Sequence, residues 1–194
     1  MRFLNFDLNE TKVVILGQDL YPQPGIATGR AFEVGGLNDW VSLKKNTSLQ
    51  NILKLLHKNS LKNTDVSPIK DVRKAIKDSS FSILPPNSLF KNWEKQGVLL
   101  LNTALTCEID KPKSHSNYWA CFMQKVINFV KRISPDAMWF LWGKNAQVFG
   151  MEIDGKKKLE CNHPRLNSQC KGDFLFENHF NIKSKVEWFG KNGL

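Results

Sequence analysis

The 194-residue sequence predicts an α/β fold: a single domain, read over residues 1–194, whose central, mostly parallel four-stranded sheet is flanked by helices. Three observations predict it. Four short apolar runs have the length of buried strands, segments with helical spacing separate them, and polar residues stand directly at the ends of the runs. A composition that is 41% apolar and 11% aromatic is enough for one core of this size, and no repeat or Pro/Gly-rich break divides the chain.

Lys12 to Leu16 is β-branched, apolar and bounded by Gly17, so it reads as a buried strand followed by a turn-rich stretch from Gln18 to Gly29. Thr47 or Ser48 is expected to cap a helix whose apolar positions Leu49, Ile52, Leu53, Leu55 and Leu56 share one face. Pro68 to Asp78 reads as a second, amphipathic helix or a mobile insert. The run Gly97-Val-Leu-Leu-Leu-Asn102 has the continuous apolar character of a strand covered on both faces, and it ends in a polar residue. Trp119 to Ile133 has helical spacing, Met138 to Trp142 is a further buried strand ending at Gly143, and Asn145 to Phe149 begins another helix. Leu159 to Cys161 gives a last short strand that leads into Asn162-His163-Pro164. The alternation of strands and helices implies parallel pairing with helices on both faces.

Charge and cysteine usage narrow the function classes. Lys plus Arg exceeds Asp plus Glu by 28 − 18 = 10, an excess that favours a polyanionic partner such as nucleic acid, although any one basic cluster is by itself an ordinary solvated face. Cys107, Cys121, Cys161 and Cys170 show no Cys-x-x-Cys pairing and suit reduced thiols. Cys161, His163 and Cys170 lack an evident fourth ligand, so no structural zinc is expected. No apolar run approaches the ~20 residues that span a bilayer, and Met1 to Glu10 alternates apolar and polar residues, unlike a signal peptide. The expectation is a soluble, cytoplasmic protein that does not engage a membrane.

Open parallel sheets bind ligands beyond the carboxyl ends of their strands. Three such ends carry Gln18-Asp19-x-Tyr21, Asn102 and His163. An acid, an amide, a phenol and an imidazole make a hydrolytic pocket, while each residue alone also has an ordinary structural explanation.

The stretch Val13-Val-Ile-Leu-Gly-Gln-Asp-Leu-Tyr-Pro22 resembles the signature V-V-I-L-G-Q-D-P-Y-H of the main family of uracil-DNA glycosylases. Ala31-Phe32-Glu33-Val34 is similar to that family's C-F-S-V segment, Ser48-Leu-Gln-Asn-Ile52 to its S-L-E-N-I helix start, and Trp93 to Asn102 to its W-x-K-Q-G-V-L-L-L-N stretch. Ser114-His115, Trp119, Phe140-Leu-Trp-Gly143 with Ala146-Gln147, and His163-Pro164 follow in the family's order. Agreement in order from about Lys12 to the Trp188 region is far more specific than any one motif.

The resemblance implies a base-excision-repair enzyme that flips uracil out of DNA and hydrolyses its N-glycosidic bond without any metal or cofactor. It implies Asp19 as the carboxylate that stabilises the sugar cation and orients water, and neutral His163 as donor to uracil O2. It implies Gln18 (through its backbone N–H), Tyr21, Phe32 and Asn102 as the uracil-binding set: Asn102 reads O4 and N3–H, Phe32 stacks on the base, and Tyr21 stands against C5, where thymine's methyl would collide. Ser48, Arg165, Leu166 and Ser168 are the expected DNA-binding residues, with Leu166 as the wedge candidate, Asn167 or Arg165 as the alternatives that the one-residue shift leaves open, and backbone N–H groups around Gly143 as further phosphate donors. DNA is the expected partner of a monomer, with a proteinaceous inhibitor or a processivity factor as a further one.

Three departures stand out. Leu20 and Pro22 replace the usual Pro and His, and the Tyr-Pro pair is similar to the poxvirus branch. His163-Pro-Arg-Leu-Asn-Ser168 replaces H-P-S-P-L-S, moving the leucine one residue earlier. Only about a dozen residues precede the signature, where relatives carry a helical segment over one side of the sheet; the segment from Asn59 to Asn92, a partner, or nothing is expected to cover that side. These departures keep two alternatives open: a glycosylase-like DNA-binding or scaffold subunit, and an enzyme for a modified uracil.

Overall fold

The computed structural model describes residues 2–62, 65–181 and 186–190. Residues 1, 63–64, 182–185 and 191–194, part of the domain expected over 1–194, lie outside the described residues. The elements run β1 (Val13–Gly17), α1 (Thr47–Leu61), α2 (Ile69–Lys77), α3 (Pro86–Lys95), β2 (Val98–Asn102), α4 (Ser116–Ile133), β3 (Met138–Trp142), α5 (Lys144–Phe149), β4 (Lys158–Cys161) and α6 (Phe174–Glu177), with 3-10 turns at Arg2–Asn5, Leu8–Glu10, Gly155–Lys157 and His179–Asn181.

The four strands form one sheet in the order β2-β1-β3-β4. All three pairings are parallel, as the alternating pattern predicts, and the register sets Gly17 beside Asn102 and Trp142 beside Cys161. The strand ends therefore share one edge. Successive strand residues feed opposite cores, as the two-residue period of a strand requires. Val13, Ile15, Val98, Leu100, Phe140 and Trp142 join α1, α3 and the aromatic cluster of Phe174, Phe180 and Trp188 on one face. Val14, Leu16, Leu99, Leu101, Trp139 and Leu141 join Met123, Ile127 and Val130 of α4 on the other. Three layers result.

Strand β1 and the starts of α5 and β4 shift by one residue from expectation, and two helix starts differ in kind. The cap of α1 is Asn46, not Thr47 or Ser48: its Oδ1 accepts from the Leu49 N–H at 3.0 Å, from a left-handed backbone (φ 86°) that asparagine tolerates far better than threonine. Helix α4 starts at Ser116, three residues before the apolar spacing begins, because its first turn is polar. Helix α3, opened by Pro85-Pro86, lay hidden in a stretch the sequence reading left as part of an insert.

Within that insert Val72, Phe81, Leu89 and Phe90 are buried in the α1/α3 core, so it packs on the face opposite α4. On α4 itself Phe122 and Phe129 are each 44% exposed, with the Leu4, Phe6 and Leu8 side chains beside them. No helix among the described residues is long and apolar enough to cross a membrane.

Candidate active site

At the carboxyl edge of the sheet lies a cleft of about 350 Å³ lined by Gln18, Asp19, Tyr21, Phe32, Ser48, Asn102, His163 and Arg165, together with Arg30, Asn46 and Pro112, which sequence reasoning missed. The lining comes from six chain segments spread over residues 17–165, and those at strand ends converge because the parallel register ends the strands at the same level.

Asp19 follows β1 and is about half-buried. The Ser116 hydroxyl, in the first turn of α4, donates to its Oδ1 at 3.3 Å, and the Lys113 backbone N–H also reaches the carboxylate. Burial raises the Asp19 pKa above the ordinary carboxylate value, while Ser116 and the Lys113 charge and N–H pull it back down. Lys113 and Ser116 carried no signal of their own in the sequence; only the tertiary approach of α4 gives them a role.

Asn102 closes β2 and is 3% exposed; no described residue hydrogen-bonds its amide, which lines the cleft. A Cβ at Gly17 would come within 2.3 Å of Asn102 Oδ1, so only glycine at the end of β1 leaves room for that amide.

His163, two residues past β4, is held on both sides. Its Nδ1 accepts the Arg165 backbone N–H at 3.1 Å, which leaves Nε2 as the protonated nitrogen of the neutral ring. Burial, then the Arg165 and Lys113 charges, push its pKa down to about 4, so the ring is neutral at physiological pH. A Cβ at Gly143 (φ 95°) would meet the His163 Cβ at 3.0 Å, making this glycine the seat of the imidazole. The Gly143 N–H donates to the Cys161 carbonyl at 2.8 Å and is not a spare phosphate donor.

Phe32 stands with its ring centroid 5.3 Å from Trp142 and 6.2 Å from His163, on a backbone with φ 65°. The loop that carries it is fixed by Arg30, which pairs with Glu33 at 2.9 Å and with Glu94 of α3 in a largely buried network. The Tyr21 hydroxyl donates to the Phe32 carbonyl at 3.4 Å and accepts from Asn46 Nδ2 at 2.5 Å.

Arg165 lines both the cleft and an adjoining groove, where Leu166, 41% exposed, meets Gly143, Lys113 and Lys144. From beneath, the fully buried Asn51 of α1 donates to the Pro164 carbonyl at 2.7 Å and the Leu166 carbonyl at 3.0 Å. Ser168 is the exception among the expected residues: it lies away from the cleft lining, with its hydroxyl bound to Asp173. Among the described residues no three His, Cys, Asp or Glu side chains gather closely enough to hold a metal ion.

An acid, a neutral imidazole, a buried amide and an aromatic ring that line one cavity can bind a planar base and polarise a bond to it. The comparisons with known proteins agree with that chemistry. The family model described as the uracil DNA glycosylase superfamily matches residues 4–185. A uracil-DNA glycosylase of Salmonella arizonae is 34% identical over 190 residues, covering 96% of this chain and 71% of its own length. One of Coxiella burnetii is 38% identical over 178 residues, covering 90% of this chain and 66% of its own. The crystal structure of the UNG from Nitratifractor salsuginis superposes with a TM-score of 0.67 at 27% identity, over 84% of this chain and 69% of that one.

Proposed function

The chain belongs to the uracil DNA glycosylase superfamily, and from that premise we propose how its cleft removes the base. The reaction is hydrolysis of the N-glycosidic bond of uracil in DNA, the opening step of base excision repair. As the C1′–N1 bond lengthens, its electron pair leaves with uracil and positive charge develops on the sugar. Asp19, as carboxylate, stabilises that cation, orients the attacking water toward C1′ and takes its proton. His163 donates its Nε2–H to uracil O2, where the departing negative charge concentrates. A neutral donor suits this task because its proton remains in place as charge builds.

Asn102 offers NH₂ to O4 and its carbonyl oxygen to N3–H, a pattern that cytosine reverses. Phe32 stacks on the base, Tyr21 walls off C5, and the Gln18 backbone N–H serves O2 beside His163. Ser48 and Arg165 grip phosphates, and Leu166 fills the space the base vacates. The Ser168 contact expected from the resemblance would require its hydroxyl to leave Asp173. DNA is the partner this reading requires of a monomeric chain; an inhibitor protein or a processivity factor would compete for, or extend, the same basic face.

One observation carries the reading: Asp19 and a His163 whose Nδ1 is already occupied face the same cavity as the unpartnered Asn102 amide. The test is excision from a uracil-containing oligonucleotide, scored as an alkali-labile site. The chain should act, and Asp19→Asn should slow it by at least about a hundredfold, the scale on which one positioned electrostatic group acts. Equal rates for the two proteins would overturn the assignment. Binding of uracil-containing and uracil-free DNA with equal affinity and no excision would favour the scaffold alternative, and faster release of hydroxymethyluracil than of uracil the modified-base one.

A further inference from the structure

Discrimination by shape needs a wall that does not yield. Tyr21 is a part-buried side chain on the turn after β1, bordering a cleft open to solvent, so what holds its hydroxyl adds to what packing gives its ring. Asn46 holds it. The asparagine sits in the left-handed region at φ 86° and ψ 78°, and its Oδ1 is committed to the Leu49 N–H of α1 at 3.0 Å. That commitment fixes which end of the amide faces the cleft, so Nδ2 points to the Tyr21 hydroxyl, 2.5 Å away. The hydroxyl proton goes the other way, to the Phe32 carbonyl at 3.4 Å. The ring is thereby strung between the first turn of α1 and the loop that carries the opposite wall.

We infer that Asn46 is a specificity-determining positioning residue: by tying the Tyr21 hydroxyl to the start of α1 it holds the ring against C5 of the flipped base, so exclusion of 5-substituted uracils depends on it. The inference rests on the reading of Tyr21 as the C5 wall. Because Ser48 lies in the same helical turn, a phosphate gripped there sits on the element that fixes the wall.

The test compares single-turnover excision of uracil and of 5-bromouracil, whose halogen takes the place of thymine's methyl, each at one site in a single-stranded oligonucleotide. The ratio of the two rates is internal to each preparation, so partial misfolding of a variant cancels. Asn46→Gly keeps the left-handed backbone and loses the amide; Tyr21→Phe keeps the ring and loses the hydroxyl. Each should raise the bromouracil-to-uracil ratio about five- to tenfold, the worth of one hydrogen bond. The double variant should go no further than either single one. Tyr21→Ala, which removes the wall, serves as the control. A ratio that rises with Tyr21→Ala but stays within twofold of the parent in Asn46→Gly would sink the inference while leaving the wall intact. Effects of the two single changes that multiply in the double variant would sink it too. No change in Tyr21→Ala would instead overturn the reading of Tyr21, and the inference with it.

Discussion

Asp19 is pulled in two directions, and the proposed mechanism makes that balance the acid limit of activity. Burial opposes its charge, whereas the Ser116 hydroxyl and the Lys113 charge and backbone N–H favour it. In the proposed mechanism Asp19 acts as a carboxylate, and on that reading the rate should fall as pH drops through its pKa. Removing the hydroxyl in Ser116→Ala takes away a contact that lowers that pKa, and the acid limb of kcat should move to higher pH. One hydrogen bond of ~1 kcal/mol corresponds to somewhat under one pH unit. Ser116→Thr, which restores a hydroxyl, should bring the limb back. A limb that does not move in Ser116→Ala would show that the 3.3 Å contact has no part in setting the charge. His163, pushed down to about 4, stays neutral above that pH and does not shape the neutral range.

Helix α1 is the element that ties the site together. Its cap Asn46 holds Tyr21, Ser48 in its first turn lines the cleft, and one turn further in Asn51 anchors the loop that carries Arg165 and Leu166. An asparagine with no exposed surface is costly unless its amide is bonded, and here Nδ2 bridges two carbonyls while Oδ1 accepts from Lys54 at 3.0 Å. Asn51→Ala leaves the Pro164 and Leu166 carbonyls unpaired and should cost about 1–3 kcal/mol in urea unfolding. If Leu166 is the wedge, as proposed, Asn51→Ala should also lower excision from duplex more than from single-stranded DNA, because only a duplex leaves a gap to fill. Equal losses on both substrates would separate Asn51 from the wedge. The sequence marked α1 by its apolar spacing, and the S-L-E-N-I likeness marked Ser48 and Asn51. Neither reveals what Asn51 holds, since its partners lie 113 and 115 residues away.

For the molecule as a whole, the order β2-β1-β3-β4 puts the signature strand between two neighbours, so that Asp19, Asn102 and the turn at Gly143 all open onto one edge. The same sheet buries titratable groups that do no chemistry. His179 is 5% exposed, accepts from the Trp142 indole at 3.0 Å, and is pushed by burial down to about 4 despite the nearby Glu177. In the unfolded chain its pKa is about 6.5. Between these values the unfolded state binds the proton and the folded state does not, so stability is full above about pH 6.5 and falls as pH drops toward 4. The gap amounts to roughly 3 kcal/mol for this residue. His57, also 5% exposed and with Nδ1 unpaired, is shifted in the same direction by burial. Urea midpoints should therefore drop between pH 7 and pH 4.5, and His179→Asn should flatten the slope; a midpoint independent of pH over that window would contradict this account.

The sequence by itself determined the layers and the chemistry on offer. Strand runs such as Val13–Gly17 and Met138–Trp142 declare themselves because short continuous apolar runs that end at glycine suit a doubly covered strand, and the ordered motifs around Asp19, Asn102 and His163 pointed to the family. Where local signals are incomplete, legibility failed: α3 has proline at its start but no side chain that caps it, and α4 opens on a polar turn ahead of its apolar spacing. Only the tertiary structure decided how the site is held. The Asn46 amide, the Ser116 hydroxyl, the Lys113 N–H and the Asn51 bridge all act on residues distant in the chain, and hydrogen bonds between distant segments leave no period in a sequence. The same is true of the His163 environment: the residue type was visible, but its neutrality and the nitrogen that carries its proton follow from burial, neighbouring charge and the Arg165 N–H, which exist only once the chain is folded.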